Sequence, residues 1–95
     1  MITKFNNLDA KVVLLMKFGM SPVIPLHEIA VEYLGMSFNT ALKKARTQSL
    51  SLPAFRLDDS QKSEWMVSLE DLANLITQQA DKARAEWEEL RDIAL

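Results

Sequence analysis

Between residues 8 and 18 apolar side chains recur at two interleaved helical spacings, Leu8/Val12/Leu15 and Ala10/Val13/Leu14. This predicts a helix over Leu8–Phe18 that is apolar on more than one side. Such a helix should be sandwiched between other elements or shared with a second subunit. Asn7 is placed to cap its start, Asp9 lies in its first turn, and Gly19 can end it in the left-handed conformation. Pro22-Val23-Ile24-Pro25 must then run extended, because each proline drives its predecessor out of the helical region. A second helix is predicted from Leu26 to Leu34. Ile29, Ala30, Tyr33 and Leu34 lie on its inner face, and Glu28 and Glu32 lie outside. The Tyr33 ring should be inside with its hydroxyl in water.

Gly35 stops that helix, and Ser37 is positioned to cap the next, Phe38 to about Gln48. At 100° per residue, Phe38, Ala41, Leu42 and Ala45 form its inner face. Asn39, Lys43, Arg46 and Thr47 fall opposite, with Thr40 and Lys44 flanking. A short strand, Ala54–Leu57, should pair with Trp65–Val67 across the polar tip 58–63. Trp65 is expected to close that hairpin against the helices. Ser68 and Asp71 form a cap-like start to a last helix, in which Leu69, Leu72, Ile76, Ala80, Ala83, Trp87, Leu90 and Ala94 step by three and four. That stripe outlasts what one small domain needs for closure.

The order of helix, tight turn, basic helix, hairpin and helix is that of a winged helix-turn-helix. The expected fold is therefore mainly α with a small β-hairpin, a winged helix-turn-helix of the MerR/excisionase type followed by a long C-terminal helix. One domain covers residues 1–95, with 26–67 as helix-turn-helix and wing and 68–94 as the last helix. A recognition helix places its early residues at base edges, where Asn suits adenine and Lys or Arg suits guanine. Asn39, Thr40 and Lys43 are the candidate base readers, and Lys44, Arg46 and Thr47 the candidate phosphate contacts. In the wing, Gln61 and Lys62 either touch DNA or serve solubility. Arg56 either meets the phosphate backbone or pairs with Asp58 or Asp59. Ile76, Ala80, Ala83, Trp87 and Leu90 are the candidate dimer contacts, the alternative being a rear helix folded back on its own domain.

A net charge of −2 changes the picture only once it is partitioned. Residues 1–56 hold seven basic and three acidic side chains, a balance of +4, whereas residues 57–95 hold four basic and ten acidic, a balance of −6. Binding to phosphate responds to the local field, so a basic front can grip DNA beside an acidic rear. With 48% hydrophobic residues, two Gly and three Pro, the 95-residue chain reads as globular. No apolar run nears the ~20 residues of a membrane span. No secretion signal is read at the N-terminus, and a chain without cysteine fits a cytoplasmic setting. His27 is alone, no Gly-rich phosphate loop is present, and the rear acids read as a solvated face. An enzyme, a cofactor and a metal are therefore not expected.

Certain segments also resemble a known family. Phe18-Gly19, Pro22-Val23-Ile24-Pro25-Leu26 and Glu32-Tyr33-Leu34-Gly35 do so, as do Leu52-Pro53-Ala54-Phe55-Arg56-Leu57, Ser60-Gln61-Lys62-Ser63, Trp65-Met66-Val67 and Asp71-Leu72-Ala73. Over residues 12–80 the chain resembles the pyocin activator protein (PrtN-like) family, which looks like a group of phage-derived transcriptional activators of bacteriocin genes. The resemblance implies a DNA-binding domain of MerR or excisionase type. One departure is Glu64, an acid beside the wing tip where proline or a small residue is expected. The expected function is thus a dimeric, double-stranded-DNA-binding activator that meets RNA polymerase or another regulator. An excisionase-like DNA-bending protein and an antirepressor-type protein-interaction factor are the alternatives.

Overall fold

The computed structural model describes residues 7–60 and 62–94. Six elements follow in order: α1 (Asn7–Lys17), β1 (Val23–Pro25), α2 (Leu26–Ile29), α3 (Phe38–Arg46), β2 (Met66–Ser68) and α4 (Leu69–Ala94). The chain is mainly helical, with one small antiparallel sheet and a long last helix.

α1 ends where its carbonyls find left-handed residues. Gly19 and Met20 both have positive φ, 70° and 64°, and the Met20 amide donates to the Leu15 carbonyl at 2.7 Å. The chain then turns into β1. Its register against β2 pairs Val23 with Ser68, Ile24 with Val67 and Pro25 with Met66. Ile24 and Val67 are both fully buried, so this cross-strand pair sits at the centre of the core.

The strand pairing differs from the sequence expectation. Residues 54–57 were expected to form the principal partner of Trp65–Val67, but they contribute a single bridge, Phe55 to Met66. The proline-flanked segment Val23–Pro25 takes the longer pairing instead. Each edge of Met66 meets a neighbour, so β2 lies between β1 and Phe55. A proline lacks an amide donor but can still sit at a strand end, where Pro25 sits here.

α2 is also shorter than expected. Regular hydrogen bonding stops at Ile29, and residues 30–34 continue as turns in which both Tyr33 and Leu34 donate to the Ile29 carbonyl. Gly35, with φ 66°, completes the reversal. α3 begins at Ser37, whose hydroxyl oxygen accepts from the Thr40 amide at 3.2 Å. It ends at Arg46 rather than near Gln48, because Thr47 caps it and Gln48 turns left-handed at φ 53°.

The core gathers Ala10 and Leu14 of α1, Leu26 and Ile29 of α2, Ala41 and Ala45 of α3, and Leu72 and Ala73 of α4. Alanines on α3 let its backbone approach α2 closely, where Ala30 is also fully buried. α1 packs against α4. Only one side of α1 is covered, however. Val12, Val13 and Met16 remain exposed, so the expected sandwich is not formed within the chain. α4 starts with the Ser68 hydroxyl accepting from the Asp71 amide at 2.9 Å. Its 26 residues span about 39 Å, and the molecule extends 56 Å along its longest axis.

Candidate nucleic-acid interface

α3 carries no acidic residue and places three cations in its last turns. Its buried side is Ala41 and Ala45, which leaves Asn39, Lys43 and Thr47 pointing away from the core. Two flanks border that outward face. Phe38, Leu42 and Arg46 lie four residues apart on one flank, and Thr40 and Lys44 on the other. Lys44 and Arg46 thus project about 160° apart around the axis. That separation divides the basic residues between two sides of the helix, whereas the sequence expectation put Arg46 on the outward face with Asn39 and Lys43.

On the Phe38 flank, α3 faces Arg56 and residues 63–65 across a groove of about 560 Å³. Arg46 lines it from α3, and Arg56 lines it from the opposite wall. The Arg56 guanidinium lies over the Trp65 ring, 5.0 Å from its centroid. The expected alternative of an ion pair with Asp58 or Asp59 is not formed among the described residues; Arg56 lies over Trp65 instead. Trp65 is half-buried and packs against the core, which holds the platform in place.

Phe38 is where sequence reasoning went wrong. Its position on the helix puts it near the buried side, yet it is 41% exposed. At the first position of α3 no preceding turn covers it, and the shortened α2 brings His27 against it. The two rings meet edge-on at 6.0 Å and 80°. His27 Nδ1 in turn lies 3.8 Å from the Glu64 carboxylate. Both side chains are well exposed, so this pair is loose. His27 and Glu64 line the groove as well. A lone histidine and an isolated acid gave no sequence signal of that meeting.

The remaining candidates fall in different places. Thr40 is exposed, but its hydroxyl oxygen accepts from Ser37 at 3.0 Å. The Thr47 hydroxyl donates to the Lys44 carbonyl at 3.2 Å and also meets Ser49. It therefore serves the helix end. Lys62 is exposed in a turn where the Asp58 carboxylate accepts from the Ser60 amide. Gln61 lies outside the described residues. A residue not singled out from sequence, Gln48, ties the end of α3 to the segment leading into Phe55. Its amide nitrogen donates to the Ala54 carbonyl at 2.9 Å, and its oxygen accepts from the Ala54 amide at 3.4 Å.

Within the candidate dimer set, Ile76 packs against the chain's own core and Ala80 is half-buried, whereas Ala83 is exposed. Trp87 and Leu90 are 57% and 66% exposed, with the Arg91 guanidinium 5.0 Å from the Trp87 ring centroid. Farther forward, Lys17 clamps α1 to the turn after α2. Its ammonium donates to Glu32 and to the Tyr33 hydroxyl at 3.0 Å, and lies 4.9 Å from the Tyr33 ring centroid. Those contacts, Glu32 first, raise the Lys17 pKa above its ordinary value. Tyr33 is half-buried, and its hydroxyl meets that ammonium.

Among the described residues, no helix is long and apolar enough to cross a membrane. No match to a curated protein or to a solved structure reaches significance. Residues 12–83 do match the family described as Pyocin activator protein PrtN. The chain belongs to the pyocin activator family.

Proposed function

From that family membership, we propose that the protein regulates pyocin genes by binding double-stranded DNA as a winged helix-turn-helix. α2, the Gly35 turn and α3 serve as the helix-turn-helix, and residues 56–67 as the wing. α3 enters the major groove with Asn39 and Lys43 toward base edges and Thr40 beside them. Arg46 and Lys44, on opposite flanks, reach the two backbones that border the groove. Arg56 and Lys62 extend the contact along the wing side, with Gln61 assigned there from sequence. The observation that carries this reading is the acid-free outward face of α3 beside a groove lined by both Arg46 and Arg56.

Two copies would read paired half-sites, joined through Ala83, Trp87 and Leu90 of α4, which no other element covers. Activation also requires a surface for RNA polymerase or another regulator, and exposed Val12, Val13 and Met16 of α1 supply an apolar one. The test is fluorescence anisotropy with duplexes from pyocin promoters, across a salt series. Asn39→Ala should lower sequence preference, and the Lys43→Ala/Arg46→Ala double change should weaken binding and flatten the salt slope by roughly 0.9 per lost phosphate contact. Wild type failing to bind these duplexes at low salt would refute the reading.

A further inference from the structure

A surface that only gathers phosphate needs cations, and the groove beside α3 offers more than cations. Phe38, Leu42 and Trp65 line it together with Arg46 and Arg56. A phenyl ring held 41% exposed at the start of a helix gains from any apolar surface that covers it. Neither a bare phosphate nor a water layer provides that surface. The sugar of a nucleotide does, and it comes with a phosphate attached.

Resting on the DNA-binding reading, we propose that this groove seats one deoxyribose-phosphate unit of a duplex backbone. The sugar lies on Phe38 and Leu42, and the phosphate lies between Arg46 and Arg56. Three observations fit together here. The Arg56 guanidinium lies over the Trp65 ring, 5.0 Å from its centroid, an attraction that holds its charge at the groove while leaving N–H groups for phosphate oxygens. Gln48 locks the wing's approach to the end of α3, so the two walls of the groove keep their spacing before DNA arrives. The flank that carries Phe38, Leu42 and Arg46 lies beside the outward Asn39–Lys43 face. An α3 that points that face at bases therefore brings this flank to the bordering backbone.

Glu64 gives the seat a sign that can be tested. It is the acid in the groove lining, and its carboxylate stays by His27. An anion entering the groove is repelled by it. A cationic or neutral occupant would not be.

The experiment uses the full chain with Trp87→Phe, which leaves Trp65 as the reporter, and a duplex selected by the wild-type protein from a random pool. Binding should shield Trp65 from acrylamide quenching. Phe38→Ala should weaken binding by about tenfold without changing the salt slope, because the lost contact is apolar. Glu64→Gln should tighten binding severalfold. Because Phe38 and Glu64 are exposed, neither change threatens folding. A salt-sensitive complex in which Trp65 stays fully quenchable and Glu64→Gln has no effect overturns the seat but leaves α3 as the reading helix. If no duplex is selected at all, both readings fall.

Discussion

The two halves of α4 share one periodicity and have opposite fates. Leu69, Leu72 and Ala73 are buried, and Leu75 and Ile76 pack against the same core. About three turns later the same spacing produces Trp87 and Leu90, both more than half exposed. Nothing in the stripe distinguishes the halves. The difference lies in what stands opposite: α1 packs against α4, with Lys11 paired to Glu70 in the first turn, while the exposed Trp87 and Leu90 meet no such cover. A hydrophobic period therefore reports which face of a helix seeks cover, and the rest of the fold decides whether cover exists within the chain. Isolated helical segments of this length are marginal in water, so the distal half draws its order from the anchored half or from a partner.

Several changes break or sharpen that contrast. The largest effect belongs to Leu72→Ala. Removing a fully buried side chain should cost about 2–5 kcal/mol in urea unfolding, enough to threaten a chain of this size. Next comes the Trp87→Ala/Leu90→Ala double change. It should leave the unfolding midpoint of the monomer within about 0.5 kcal/mol while shifting sedimentation from dimer to monomer. If wild type sediments as a monomer at every concentration, the distal half is not a dimer contact.

A smaller loss, about 1 kcal/mol, is expected for Ser68→Ala, which removes the cap on the anchored half. Hydrogen exchange should show it first at the Asp71 amide. Smallest is the Lys17 clamp, whose two charged partners are both solvent-accessible. Its raised pKa contributes stability that is present below the ordinary lysine value of 10.5 and fades as pH rises through the higher folded value. Thermal melts of wild type and Lys17→Met should therefore differ at pH 8 and converge in strong alkali.

Much of this was legible in the residues. The caps at Ser37 and Ser68, the left-handed Gly19 and Gly35, and the starts of α3 and α4 follow from short-range rules that act within one turn. The outward placement of Asn39 and Lys43 on α3 was legible for the same reason. Three features were not. The long partner of β2 proved to be Val23–Pro25 rather than residues 54–57, since pairing joins segments more than forty residues apart that local pattern cannot rank. Phe38 was placed inside because helical angle ignores how far a neighbouring helix extends. Arg56 found Trp65 rather than an aspartate, a choice made by the strand bridge that sets Phe55 against Met66.

By itself, then, the sequence determined where the helices begin, the glycine stops at Gly19 and Gly35, the outward placement of Asn39 and Lys43 on α3 and the apolar side of α4. Each depends on residues within about four positions of one another, where backbone geometry leaves few alternatives. Only the tertiary structure decided which strand completes the sheet, that α3, Arg56 and residues 63–65 enclose a groove with two arginines and an exposed phenyl ring, and that the far end of α4 goes uncovered. Those outcomes depend on how many side chains pack at once, and burial is a property of the whole assembly of elements rather than of any one segment.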